Sequence, residues 1–331
     1  MDALPYQPVD LETLIVGTLL HFPLFIRYLQ DDDPANVAQF TLYKGADSVF
    51  READRGRLLH NSVSQLFIRE PDLSRYNEYL EEQLESIVRD RNMPVAKRGE
   101  LVFLAAFNYV TEIFSSKESF EEKLDRGRKL SENLFTFLHT SPAALHLVKP
   151  LEPVDGNLPA HCVKVAVMVV ALCSRVLDLA KDEIVEAGLG AFLHDYGKTF
   201  AAGHKLDGRE KLSPKELQIV KKHPLEGYKY LNLYKGMGEV ALTVILRHHE
   251  KEDGTGYPDG LCGIELEDWA KAAAIADTYC DLTSVKPYRK AFPPGEALRI
   301  IHDEMQGAFD ERLLKGIREM VKAAPRLDHA A

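Results

Sequence analysis

The sequence predicts a mainly α protein in three parts. These are a small α/β-type region at residues 1–92, a helical connector at 93–150 and an all-α helical bundle at 151–325. Three observations carry this reading. Short runs rich in aromatic and branched residues, separated by polar stretches, lie near the N-terminus. Helical periodicity dominates from residue 160 onward. Between them, "KPLEPVDGNLP" is dense in Pro and Gly and marks a boundary. The length of 331 residues fits two domains at roughly 100–200 residues each.

In the first part, "LFIRYL", "FTLYKG" and "QLFIRE" read as strands. "DLSRYNEYLEEQLESIVRDR" then reads as an amphipathic helix, with Tyr76, Leu80, Leu84 and Ile87 on one face and Asp72 or Ser74 as cap. Met93-Pro94 ends it. In the connector, "ELVFLAAFNYVTEIF" and "SFEEKLDRGRKLSENLFTFLH" are helices. They either pack on a neighbouring domain or form the stalk of a homodimer.

The third part opens with "HCVKVAVMVVALCSRVLDL", apolar on most sides and therefore a buried helix. "KDEIVEAGLGAFLHDYGK" is a second helix ending near Gly197. "SPKELQIVKKH" starts with Ser213 as N-cap, Pro214 at the first helical position and Glu216 closing a capping box. "GEVALTVILRHHE" and "WAKAAAIADTYCDLTS" follow.

Composition narrows the function classes. A formal charge of −10 argues against DNA or long RNA as partner, while a small anionic ligand can still bind a local basic pocket. Cys162, Cys173, Cys262 and Cys280 form no CxxC pair and read as reduced thiols of a cytoplasmic protein. "MDALPYQPVD" has no basic segment of a signal peptide. The run "LIVGTLLHFPLFIRYL" is interrupted by Gly17, His21, Pro23 and Arg27, too often for a membrane span of about 20 apolar residues.

The polar residues of the bundle form a pattern. His161 starts one helix, His194 and Asp195 end the next, His223 ends the third, and His248 and His249 end the one after. Asp277 lies inside the apolar "AAAIADTY", where an unpaired carboxylate is costly. Taken singly, such residues are caps or packed side chains, which is the reading for His21, His60, His139, His146, His204, His302 and His329. Together they suggest a metal site. Mixed imidazole and carboxylate donors suit iron or manganese, with zinc or nickel as further options.

"HDYGK" and "HHEKEDGTGYP", together with "KKHP", "IADTY" and "KPYR", resemble the signatures of the HD-GYP subgroup of HD-domain phosphohydrolases. The resemblance spans about residues 155–320. It implies an all-α domain with two or three metals that hydrolyses the cyclic dinucleotide c-di-GMP to pGpG or GMP by a metal-bridged hydroxide. It implies that His161, His194, Asp195 and Asp277 hold one metal, and that Asp195, His223, His248 and His249 hold the other. Lys198 then meets the scissile phosphate, supplying positive charge where the transition state gains negative charge. Lys286 and Arg289 resemble phosphate contacts, and Glu250 orients a ligand. The loop with Gly256 and Tyr257 borders the substrate cleft, its glycines providing backbone freedom, and offers a surface to a signalling partner. The N-terminal part is then regulatory.

Some positions depart from the family. Lys286 stands where an arginine is usual, and Cys280 where an aspartate is frequent, with Asp281 as its stand-in. Members with a third metal carry a glutamate four residues before the first histidine. Here that place is Asn157, flanked by Gly156 and Leu158, with Asp155 further out, so two metals are expected. Two other functions compete: a nucleotide-sensing or protein-interaction module with weak turnover, and a phosphodiesterase for cyclic GMP-AMP.

Overall fold

The computed structural model describes residues 6–29, 38–115, 120–141, 157–200, 212–286 and 288–322. The expectations for most of the "KPLEPVDGNLP" loop, for Asp155 and Gly156, and for His146, His204 and His329 lie outside the described residues. The chain divides into two compact units, Met1–Ile87 and Val88–Ala331.

The first unit contains β1 (Tyr6–Asp10), β2 (Leu19–Leu20), β3 (Leu24–Leu29), β4 (Ala38–Lys44), β5 (Ser48–Val49), α1 (Glu52–His60), β6 (Gln65–Arg69) and most of α2 (Leu73–Arg89). An antiparallel sheet runs β1-β6-β3-β4, and β2 pairs with β5. Sheet residues Leu24, Leu66 and Ile68 pack with Phe22, Tyr76 and Tyr79 in one core. The expected face of α2, Tyr76, Leu80, Leu84 and Ile87, is buried. β1 and α1 are additions to the sequence reading. Pro8 removes a ladder donor, which β1 tolerates because it is an edge strand.

The second unit is helical: α3 (Val95–Ser115), α4 (Phe120–Thr140), α5 (Leu158–Arg175), α6 (Lys181–Leu193), α7 (Pro214–Val220), α8 (His223–Leu231), α9 (Glu239–Arg247), α10 (Asp268–Leu282), α11 (Pro294–Asp303) and α12 (Glu311–Lys322). The helices α3 and α4, read from sequence as a separate connector, belong to this unit and pack on α5 and α6. The buried Ser131 hydroxyl donates to the Val185 carbonyl at 2.7 Å. Arg128 pairs with Glu186 at 2.6 Å and donates to the Gly236 carbonyl at 2.6 Å.

By length and composition α5 is apolar enough to cross a membrane, but 61% of it is buried inside the protein. It packs against α6, α10, α3 and α4, which makes it the core helix. Each fully buried valine or leucine there contributes about 1.5–3 kcal/mol relative to exposure. The capping box of α7 forms as expected: Ser213 Oγ accepts from the Glu216 amide, and the Ser213 amide donates to Glu216 Oε2 at 2.8 Å.

Candidate metal centre

Helix ends build this site. The final carbonyls of a helix have no partner within it, and three histidines use them. His194 caps α6 and its Nδ1–H donates to the Ala191 carbonyl at 2.8 Å. His248 caps α9 and donates to the Ile245 carbonyl at 2.9 Å. His223 donates to the Val220 carbonyl at the end of α7 at 2.8 Å. Here the structure corrects the sequence reading: His223 opens α8 rather than closing the helix before it. Each of these bonds places the proton on Nδ1 and leaves Nε2 as a lone pair aimed away from its helix end.

Those lone pairs converge. His223 Nε2 lies 3.0 Å from His248 Nε2 and 3.1 Å from Asp195 Oδ1. His194 Nε2 is 3.4 Å from Asp195 Oδ2 and 3.7 Å from Asp277 Oδ1. From α5, His161 Nε2 reaches Asp277 Oδ1 at 2.9 Å and Asp195 Oδ2 at 3.8 Å. His249 Nδ1 is 3.4 Å from Asp277 Oδ2. Donor atoms of Asp195, His223, His248 and His249 all lie within 4.8 Å of one another, and so do those of His161, His194 and Asp195. Asp195 is common to both groups.

The centre is buried yet incompletely satisfied. His194, Asp195 and His248 are at most 1% exposed. His194 Nε2 and Asp195 Oδ1 have no hydrogen-bond partner. Two imidazole lone pairs facing at 3.0 Å repel each other unless a proton or cation lies between them. Buried polar atoms are ordinarily paired, so this donor set fits divalent cations.

Charge is arranged to the same end. Burial opposes ionisation of Asp195, but Lys198 and His194 outweigh it and hold the carboxyl well below its usual range. Burial likewise opposes ionisation of Asp277, and the hydrogen bond to His161 together with the facing His194 ring keeps it ionised. Burial and the neighbouring rings push His248 well down, and burial takes His249 to about 3. Burial works against a charged His194, but the Asp195 carboxylate prevails and raises it well above the ordinary value. The centre thus offers two anionic carboxylates and, at His248 and His249, neutral imidazoles. Burial raises the thiols of Cys162 and Cys280, the latter to about 12, so both are packing groups.

The flanking residues sort differently. Lys198 sits in a short 3-10 turn, Tyr196–Thr199, and its ammonium meets Asp195 Oδ2 at 2.7 Å. Gly197 is there for close approach: a Cβ would lie 1.9 Å from the His223 carbonyl oxygen. The Tyr257 ring lies on the His249 ring, centroids 4.7 Å apart, and Lys221 Nζ lies over the Tyr257 ring, 5.0 Å from its centroid. Gly256 does not adopt a left-handed conformation, unlike Gly254 at φ 72°. A Cβ on Gly256 would lie 2.5 Å from the Glu250 Cα, so its role is contact with the "HHE" backbone.

Glu250 also departs from expectation. Its carboxylate orients no histidine and instead accepts the amides of Asp259, Gly260 and Leu261 at 2.7, 3.1 and 3.1 Å. It pins the glycine loop back onto the end of α9. Lys286 ion-pairs with Asp281. Arg289 donates to Asp281 Oδ2 at 3.0 Å and to the Asp281 and Leu282 carbonyls at 2.7 and 3.0 Å. Asp281 therefore clamps the turn after α10. An aromatic group around Tyr196 was not anticipated, because its members are far apart in sequence.

Residues 157–313 match the family described as HD domain. A cyclic di-GMP phosphodiesterase of Pseudomonas aeruginosa is 34% identical over 184 residues, covering 56% of this chain and 44% of that protein. A 3'3'-cGAMP-specific phosphodiesterase of Vibrio cholerae is 31% identical over 176 residues, covering 52% of this chain and 38% of that protein. Each match spans less than half the relative's length. A solved HDG"Y"P protein from Bdellovibrio bacteriovorus shares the fold, with a TM-score of 0.67 at 22% identity, over 96% of this chain and 100% of that one.

Proposed function

We propose, starting from the match of residues 157–313 to the HD-domain family, that the protein is a metal-dependent cyclic-dinucleotide phosphodiesterase of HD-GYP type. One observation carries the reading: buried His194 Nε2 and Asp195 Oδ1 lack hydrogen-bond partners inside a converging set of histidines. His161, His194, Asp195 and Asp277 would hold one divalent ion, and Asp195, His223, His248 and His249 would hold the other. Two such ions polarise a phosphoryl oxygen and lower the pKa of water. Iron or manganese suits the donors. Asn157 carries an amide where a third ion needs a carboxylate, so the number is two.

The chain's own residues do the remainder. Lys198 holds its ammonium at Asp195, where it meets the phosphate charge that grows in the transition state. Tyr257 covers His249, and Glu250 keeps the loop carrying Tyr257 in place. Lys286 and Arg289 are tied to Asp281, so a role in phosphate binding requires them to leave or share that carboxylate. The substrate is c-di-GMP, the compound named for the Pseudomonas relative. Cyclic GMP-AMP is the second reading, supported by a relative of nearly equal identity, 31% against 34%. The first unit regulates turnover.

The test is anaerobic purification with metal analysis, then incubation with each dinucleotide and chromatography of the products. Turnover of c-di-GMP to pGpG or GMP supports the proposal. Metal-loaded protein that hydrolyses neither compound overturns it in favour of a binding module.

A further inference from the structure

An aromatic group joins the α3–α4 pair to the turn that carries Lys198. Phe120, the first residue of α4, is buried, with its ring 5.1 Å from Tyr196, 5.2 Å from Tyr234 and 6.2 Å from Tyr230. Phe114, in the last turn of α3, meets Tyr196 edge-on at 5.6 Å. Tyr196 also contacts Tyr230 at 5.5 Å and Phe200 at 5.8 Å. Phe114 and Phe120 lie outside the matched residues 157–313.

Tyr196 stands directly between Asp195 and the rest of the turn, Gly197, Lys198 and Thr199. The anchors of so short a turn are local: the Lys198 amide on the Asp195 carbonyl at 2.9 Å and the Phe200 amide on the Gly197 carbonyl at 3.2 Å, the Thr199 hydroxyl on the Tyr196 carbonyl at 2.8 Å, and the Lys198 ammonium on Asp195 Oδ2 at 2.7 Å. Its orientation is set from outside, by Gly197 against the His223 carbonyl on one side and by the Tyr196 ring on the other. Edge-to-face ring contacts are directional. A rotation of Tyr196 therefore turns the segment that aims the Lys198 ammonium.

We propose that Phe120, with Phe114, is a positioning residue that sets Lys198 through the Tyr196 ring, so that α3 and α4 are a working part of the centre rather than a spacer. The inference rests on the phosphodiesterase reading for its effect on rate, but not for its effect on Lys198.

The test uses the full chain and reads two quantities. In protein labelled at lysine Cε, the Lys198 signal is identified by its loss in Lys198→Arg. It is expected to shift in metal-free Phe120→Leu and Phe120→Ala, and to stay in place in Phe137→Leu, a buried change elsewhere on α4. In the loaded enzyme, Phe120→Leu is expected to lower kcat about 10-fold with KM and metal content within twofold, the scale of part of one lost electrostatic donor. Phe120→Tyr, which keeps the ring, restores both readouts. An unmoved Lys198 signal in folded Phe120→Leu, or an equal shift in Phe137→Leu, overturns the inference. A wild type without turnover, but with the signal moved only by the Phe120 variants, sinks the phosphodiesterase reading and leaves the positioning intact.

Discussion

Asp54, in the first unit, and Asp195, in the second, are both buried carboxylates next to a lysine, and they end up with different surroundings. Asp54 Oδ1 accepts from Arg57 at 2.6 Å, and its Oδ2 accepts from Lys44 at 2.7 Å and from the Arg51 amide at 2.9 Å. Both oxygens are served by the chain itself. Asp195 Oδ2 has Lys198 at 2.7 Å, while its Oδ1 has no hydrogen-bond partner and faces His223 and His248. Both carboxyls are held below their ordinary value against the effect of burial. A carboxylate satisfied by its own chain is a structural lock. One left half-satisfied among imidazole lone pairs is prepared for a cation that the chain does not supply. The same distinction separates Glu250 and Asp281, whose oxygens hold loops, from Asp277, which faces His161, His194 and His249.

If this comparison is right, the lysines beside the two carboxylates have unequal value. Lys198→Ala is expected to leave the metal bound and to slow turnover roughly 10–1000-fold, the range for one lost electrostatic donor. Steady-state kinetics beside metal analysis reads both. Unchanged turnover would make Lys198 a second structural lock. Asp54→Ala is expected to cost about 1 kcal/mol of stability, because it removes the carboxylate that takes the Arg51 amide at the start of α1, with metal content unchanged. Urea unfolding measures the first and elemental analysis the second. A neutral Asp54→Ala would remove the contrast on which the argument stands.

A smaller effect concerns pH in chelator-treated protein. His249 titrates at about 3 against an ordinary 6.5, so between those values the unfolded chain binds a proton that the native chain does not. Its contribution to stability is complete above pH 6.5 and is lost as pH falls toward 3. His248 acts in the same direction. His194, raised, acts oppositely: its contribution is complete below 6.5 and is lost as pH rises through its folded value. Stability should therefore be greatest near pH 6.5 and fall on both sides. His249→Gln should flatten the acid limb of a plot of Tm against pH. Identical acid limbs in the two proteins would contradict a neutral His249.

Much of the centre is legible in the sequence because histidines placed at the ends of periodic helices repeat a local rule. The helix boundary fixes which carbonyl each ring caps, as Ala191 does for His194 and Ile245 for His248. The apolar context of Asp277 likewise demands partners. What is not legible depends on contacts between distant segments. Nothing near Glu250 indicates that it takes the amides of residues 259–261 rather than a ligand. His223 is misplaced by one helix because Lys221 and Lys222 continue the periodic pattern across the turn between α7 and α8. The edge strand β1 is masked by Pro8, and α1 by its single buried apolar residue, Leu58. The Tyr196 group draws on α3, α4 and α8, and no spacing in the chain links them.

The central claim is that Asp195 is shared by two metal ions. It is tested most directly by elemental analysis of anaerobically loaded full-length protein, wild type beside Asp195→Ala and Asn157→Ala, with circular dichroism to confirm folding. The expected values are near two ions per chain for wild type and Asn157→Ala, and near zero for a folded Asp195→Ala. A folded Asp195→Ala that keeps two ions, or a wild type that reproducibly holds three, would contradict it.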